Sequence, residues 1–191
     1  KAFAVNSVGV SYGSNQSFTT LAQDIAPAPT AQPTNYSVSS LTCNGMTVSW
    51  TAASPSADGY IVLQNTGSTA PNTDPVSTTA YTVGATLGNA TVAYVGSGTS
   101  FSLSSLPDAT TYNFKIYSYN GTGSSTSYLT PSPLTGSTAT LAPSALTATA
   151  ATNIYSNAFT ANWNGTASCA NSYSLTVNAV EGFENSLSLF A

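Results

Sequence analysis

The chain has 191 residues, of which only 2 are basic and 6 acidic; it contains no His, and its net charge is −4. Two lysines cannot neutralise a phosphate backbone, which excludes nucleic-acid binding by charge. Without His the commonest general base and metal ligand is missing, and no apolar run reaches the roughly 18 residues that a membrane-spanning helix needs. Ser and Thr make up nearly a third of the chain, yet 41% of residues are hydrophobic, with 11 Tyr, 7 Phe and 2 Trp. That is enough apolar surface for a packed core, so disorder is not expected. With so little charge, solubility falls to hydroxyls and amides, which suits an exported protein. The chain starts at Lys1 without Met or a signal sequence and reads as an excised fragment or a mature segment.

Strand signals dominate from end to end, and no segment has a helical period. Residues 1–20 read as a strand, a turn of Asn, Gly and Ser, and a polar strand. The stretch from Ile25 to Pro33 holds Pro27, Pro29 and Pro33, so it is extended and stiff and suits a linker. Met46, Val48 and Trp50 alternate with Thr47 and Ser49, which puts the three apolar residues on one face. After the turn signal Asp58-Gly59 comes the run Tyr60–Leu63, and Ala80–Leu87 and Ala90–Val95 flank the hairpin signal Gly88-Asn89. Thr99–Leu106 alternates with Phe101, Leu103 and Leu106 inward, and Tyr112–Asn120 alternates before the turn Gly121–Ser124. Short strands at this spacing predict an all-β fold, an antiparallel β-sandwich. Leu141–Ser144 marks a second joint.

The pattern repeats. Thr47–Thr51 recurs as Phe159–Trp163, each lying beyond a Pro-containing joint, and each is followed by a Tyr-led run, Tyr60–Leu63 and Tyr173–Val177. The opening residues mirror Lys115–Thr140. The expected division is therefore 1–22, the last strands of one module; 23–33, a linker; 34–141, a complete module; and 143–191, the start of a third, running into another β domain from about 181.

The central segment resembles a fibronectin type III module. The resemblance rests on the Pro-rich lead-in Pro27–Pro33, on Trp50, on Tyr60–Leu63, and on the run from Leu106 to Ile116. It implies tandem fibronectin type III sandwiches, one complete and two partial. It also implies a tyrosine corner made by Leu106 and Tyr112, in which a buried ring reaches the backbone through its hydroxyl. The core expected for the complete copy is Val48, Trp50, Ile61, Leu63, Phe101, Leu106, Tyr112, Phe114 and Ile116. Gly59–Leu63, Tyr81–Gly84, Ala93–Gly96 and Lys115–Gly121 are similar to modules of large bacterial secreted proteins of the type IX secretion kind, where they act as spacers beside other domains. Two departures stand out: Thr66–Gly98 is longer than the usual connection and carries an extra hairpin, and Val180–Asn185 is similar to the start of a lectin-like jelly roll.

No constellation supports catalysis. Glu181 and Glu184 are close in sequence but have no supporting groups, while Asp58 and Asp108 read as turn residues. Nothing activates the many hydroxyls, and no run of calcium ligands occurs. No metal or cofactor is therefore expected, and the chain reads as a non-enzyme. Two readings of Cys43 and Cys169 stay open: separate thiols, or one disulfide joining neighbouring modules in an oxidising compartment. Asn-x-Ser/Thr sequons fall at Asn15, Asn35, Asn89, Asn120 and Asn164, a pattern that chance produces in such a composition.

The functional expectation is a non-catalytic spacer of a larger protein, located outside the cell or on its outer surface, with flanking domains of the same polypeptide as partners. The alternatives are an adhesive or carbohydrate-binding module, stacking sugars on Tyr94, Tyr117, Tyr119 and Tyr128, and a secreted cargo or assembly subunit bound to export machinery. Extracellular polysaccharide or surface and secretion proteins would be the partners in those cases.

Overall fold

The computed structural model describes residues 2–17, 19, 24–155, 158–165 and 169. Thirteen strands form among them: β1 (Phe3–Asn6), β2 (Gly9–Tyr12), β3 (Thr34–Ser39), β4 (Met46–Thr51), β5 (Gly59–Thr66), β6 (Thr86–Leu87), β7 (Ala90–Gly96), β8 (Ser100–Leu103), β9 (Thr111–Asn120), β10 (Ser127–Tyr128), β11 (Leu134–Ala139), β12 (Thr147–Thr152) and β13 (Thr160–Asn164). The only helical element among them is a single 3-10 turn at Gly123–Ser125.

Residues 34–139 build two antiparallel sheets. The small one runs β3-β4-β8, and the large one runs β10-β9-β5-β7-β6 with β11 also on β9. Both β10 and β11 lie on the edge of β9 that β5 leaves free: β11 pairs Thr111 to Ile116, and β10 pairs Tyr119 and Asn120. Pro131 and Pro133 fall between these strands, where the missing N–H groups prevent one continuous ladder.

Alternation decides what faces the space between the sheets. From β4 come Met46, Val48 and Trp50; from β5, Tyr60 and Val62; from β9, Tyr112, Phe114 and Ile116. All eight are buried, and burial of each large apolar side chain is worth about 1.5–3 kcal/mol. Trp50 is the hub of the aromatic packing, with ring centroids 5.6 Å from Tyr60, 5.8 Å from Tyr94 and 6.2 Å from Phe101. Phe101 and Leu106 are half-buried and pack against this core. At the open side of the sandwich the Tyr36 ring of β3 lies over Gly136 of β11, where any Cβ would strike it, and its hydroxyl meets Thr138 Oγ1 at 3.0 Å.

Three expectations need correction here. Ile61 and Leu63 are fully buried, but they belong to a different cluster from Trp50. With a side-chain period of two, Tyr60 and Val62 take the inner face of β5 and Ile61 and Leu63 take the outer one. The run is apolar throughout because both faces of this strand are covered. The second correction concerns the tyrosine corner. The Tyr112 ring is buried, but among the described residues its hydroxyl makes no hydrogen bond to the backbone. Thr140 fastens this crossing instead: its hydroxyl donates to the Pro107 carbonyl at 2.7 Å and accepts from the Thr110 N–H at 2.9 Å. Ala80–Leu87 likewise forms far less strand than its alternation suggests, since only Thr86 and Leu87 pair.

The chain approaches this body at one pole and leaves at the other. At the first pole Ala26 N–H donates to Ser125 O (3.0 Å), and Asn120 Nδ2 donates to Pro27 O (2.9 Å). Gln32 plugs the gap between β10 and β11: its Nε2 donates to Leu129 O (2.6 Å) and Pro131 O (3.1 Å), and its Oε1 accepts from Ser118 N–H (2.9 Å). At the opposite pole Leu141 N–H donates to Thr42 O (3.1 Å). Outside the body lie two hairpins, β1–β2 and β12–β13.

Three substitutions test this account by urea unfolding. Trp50→Ala should cost about 3–5 kcal/mol. Thr140→Val should cost about 1–3 kcal/mol, because it strands Thr110 N–H. Tyr112→Phe should stay within about 0.5 kcal/mol of the parent; a loss matching Thr140→Val would restore the tyrosine hydroxyl as the fastener.

Candidate functional site

The feature that sets this sandwich apart lies on the outer face of the large sheet. There Ile61 and Leu63 of β5, Ala90 and Val92 of β7, Tyr117 of β9 and Tyr128 of β10 form a second buried cluster. It is roofed by the long connection between β5 and β7, from which Tyr81, Ala85 and Leu87 pack down and Pro71 is fully buried. The extra hairpin seen in the sequence is the end of this roof, β6 turning into β7.

Asp74 holds the roof down. Its Oδ1 accepts a 2.5 Å hydrogen bond from the Tyr117 hydroxyl and lies 3.7 Å from Lys115 Nζ. The exposed carboxylate makes the ion pair worth little; the phenol contact is the tighter one. Further along, Tyr128 donates through its hydroxyl to Thr79 O (3.0 Å), and Thr78 N–H donates to Thr126 O (2.7 Å). The hairpin turn is tied back as well, since Asn89 Oδ1 accepts from Asn72 N–H (2.8 Å) and Asn72 Oδ1 accepts from Asn89 N–H (3.2 Å).

These contacts correct the expected sugar-stacking set. Tyr117 is 0% exposed and Tyr128 6%, so neither offers a ring face to a ligand. Tyr119 is half-buried against Tyr128, with centroids 5.7 Å apart. Tyr94 points to the other side of the sheet, stacked on Phe101 at 5.6 Å, and its hydroxyl accepts from Gly98 N–H. The four rings therefore do not share a surface. Burial is the largest cause displacing the ionisation of several phenols. Desolvation pushes Tyr117 well above the ordinary tyrosine range, and the hydrogen bond to Asp74 and its charge add to the shift. Tyr128 is pushed up to about 12 by desolvation, then by the neighbouring Tyr81 and Tyr119. Tyr36 and Tyr119 are raised too, again chiefly by desolvation.

Cys43, in the β3–β4 turn, is joined to Cys169 in a disulfide, with Cα atoms 5.6 Å apart. Asp58 acts at the other pole, where its Oδ2 accepts from Gly121 N–H (2.8 Å) and its own N–H donates to Asn120 Oδ1 (3.0 Å). Glu181 and Glu184, the Tyr173–Val177 run and the Val180–Asn185 stretch lie outside the described residues. Among the described residues, no three potential metal ligands gather, and no helix is long and apolar enough to cross a membrane. Asp74, Gln32 and Thr140 were not singled out by sequence. Each is a lone polar residue in a turn or linker, whose partner lies more than 30 residues away or across the sheet edge, so no local spacing marks it.

Raising the pH should undo the roof. A phenol whose ionisation is raised on folding leaves stability unchanged below the unfolded value near 10 and subtracts from it above, as the unfolded chain loses protons the native one keeps. Each such tyrosine removes about 1.4 kcal/mol per pH unit in that window. Stability should thus be flat between neutrality and about pH 9.5 and fall steeply beyond it; a flat urea midpoint through pH 11.5 would contradict the burial of these rings. Asp74→Ala should cost about 1–3 kcal/mol by leaving the Tyr117 hydroxyl unpaired.

No curated protein matches the chain. Among solved structures it is similar to a computer-redesigned β-sandwich protein (22% identity, TM-score 0.39, covering 58% of this chain and 89% of that one). It is also similar to the FN3 domain of human collagen XX (20% identity, TM-score 0.32, covering 59% and 99%). A third similar structure is a segment of titin domains (20% identity, TM-score 0.36, covering 58% and 32%). The family of the fibronectin type III domain matches residues 31–133, just over half of the sequence, and the chain belongs to that family.

Proposed function

We propose that the chain is a non-catalytic spacer within a larger secreted or cell-surface protein of bacteria, of the type IX secretion kind, where fibronectin type III modules hold flanking domains apart. The observation that carries this reading is that both faces of the large sheet are already occupied: the small sheet covers one and the Asp74-latched roof the other. Surface that a ligand-binding sandwich would present is here consumed by internal packing. The course of the chain supports the same reading, since it approaches the module at the Ala26–Asn120 pole and leaves at the Thr42–Leu141 pole.

Fibronectin type III modules are typically binding or structural units, which agrees with a role without chemistry. The tandem arrangement is part of the proposal. In β1–β2, Phe3, Val5, Val10 and Tyr12 line one face and remain exposed, as a pair of strands taken from the edge of another sandwich would. In β12–β13, Ala148 pairs with Trp163, as β3 and β4 pair beside Trp50 in the complete module. The disulfide fits an oxidising, extracytoplasmic compartment. The partners proposed are the neighbouring domains of the same polypeptide.

Glycan-array screening together with cellulose and chitin pull-downs of the whole chain tests the reading. A blank across polysaccharides is expected. Saturable binding that is lost when an exposed aromatic such as Trp163 is replaced by Ala would replace the spacer with an adhesive module.

A further inference from the structure

In an Asn-Gly pair the side-chain amide is open to attack by the next backbone nitrogen, because Gly puts no side chain in the way. The pair occurs at Asn44-Gly45, Asn120-Gly121 and Asn164-Gly165, and the fold treats the first two in opposite ways. Asn120 is pinned: its Nδ2 donates to Pro27 O (2.9 Å) and its Oδ1 accepts from Asp58 N–H (3.0 Å). The nitrogen that would attack it is held too, since Gly121 N–H donates to Asp58 Oδ2 (2.8 Å). A carboxylate at that distance opposes the negative charge that the nitrogen must take on before it can attack.

Asn44 stands in the turn between β3 and β4 and is exposed. Its Oδ1 accepts from Thr42 Oγ1 (3.2 Å), a hydroxyl whose one hydrogen is shared with Gly45 O (3.1 Å). Among the described residues nothing bonds Asn44 Nδ2 or Gly45 N–H. The peptide carbonyl of Asn44, by contrast, accepts from Leu106 N–H at 2.9 Å. The charge of a deprotonated amide is spread over its nitrogen and oxygen, so a donor on that oxygen stabilises the Gly45 nitrogen anion. Packing requires the glycine: a Cβ at position 45 would stand 2.8 Å from Leu103 O, at the end of β8.

From this juxtaposition of a loosely held amide, an unbonded backbone nitrogen and a donor on the carbonyl between them, we propose that Asn44 is a site of self-modification, converting to aspartate and isoaspartate in the folded protein while Asp58 keeps Asn120 as an amide. Hydroxide takes the Gly45 N–H proton, and the nitrogen forms a bond to Asn44 Cγ. The Cγ–Nδ2 bond breaks, and the amide nitrogen leaves as ammonia with a proton from water, which restores the hydroxide. Water then opens the resulting ring at either carbonyl, giving aspartate or isoaspartate with no change of oxidation state. Either product adds one negative charge to a chain whose net charge is −4. In isoaspartate the backbone runs through the former side chain, so the turn lengthens by one carbon and the group facing Leu106 N–H becomes a carboxylate. The change falls one residue from Cys43, at the pole where Thr42 O holds Leu141 N–H. The inference stands apart from the spacer reading.

The test is peptide mapping by mass spectrometry of the whole chain, aged in mildly alkaline buffer with and without denaturing urea, with fragmentation that separates aspartate from isoaspartate. In the folded chain position 44 should convert several-fold faster than position 120; in urea, where neither site has its surroundings, the two rates should converge. Asp58→Ala, a change at an exposed turn residue, should raise conversion at Asn120 several-fold in the folded chain and leave Asn44 unmoved. Asn44→Gln, with the longer side chain poorly placed for ring closure, should end conversion at position 44. Folded-state conversion at Asn120 equal to or faster than at Asn44 would overturn the proposal, as would an Asn44 that stays an amide while the urea sample converts. An Asp58→Ala chain that keeps its near-ultraviolet dichroism but leaves Asn120 as slow as before would overturn the part given to Asp58. The folded-against-urea comparison needs no variant, so the proposal stays open to refutation even where a substitution unfolds the chain. Polysaccharide binding, which would sink the spacer reading, is independent of all these readouts.

Discussion

The pairing of β5 with β9 is the constraint on which the rest of the molecule depends. The ladder runs from Gly59 opposite Tyr119 to Thr66 opposite Tyr112, the longest register among the described residues. Because side chains alternate along both strands, this single register decides two cores at once: Tyr60, Val62, Tyr112, Phe114 and Ile116 on one side, Ile61, Leu63 and Tyr117 on the other. A slip of one residue would exchange them, placing the Tyr117 phenol among the inner aromatics and leaving Asp74 without its partner. The two clusters therefore lock the register from opposite faces.

That double burial explains how so weakly charged a chain holds together and stays specific. With 4% charged residues, ion pairs contribute little to stability, and the polar ties are mostly backbone groups, hydroxyls and amides. Gln32, Thr140 and Asn120 each do in this molecule what strand continuation or charge would do elsewhere, satisfying N–H and C=O groups where a ladder breaks off. Tyrosines serve the same economy of charge: they bury a large ring and hand a hydroxyl to Asp74, Thr79 or Thr138 at its rim.

Much of the fold was legible in the sequence because it is written in local alternation. Met46-Thr-Val-Ser-Trp50 and Tyr112-Asn-Phe-Lys-Ile116 declare both their strand character and their inner faces. Tyr60–Leu63 does not, since a continuous apolar run is silent about which face each residue takes, and Ile61 and Leu63 therefore read as inner-core residues although they lie in the outer cluster. The sugar-stacking expectation for the tyrosines fails for a related reason: the roof that hides Tyr117 and Tyr128 is an irregular stretch whose covering role depends on Asp74 and Pro71, residues that locally look like turn punctuation. The corner at residues 107–112 shows the limit of family resemblance, for the ring is where it should be while Thr140 supplies the bond.

The opposed poles give the module a definite mechanical grain. β3 leads away from the Ala26 side and β11 runs toward the Leu141 side, so both lie along the line joining the two attachment points. The hydrogen bonds of β3 with β4 and of β11 with β9 stand perpendicular to that line. Tension between neighbouring domains would load those rungs side by side in shear, sharing the force, rather than peeling them open one after another like a zip.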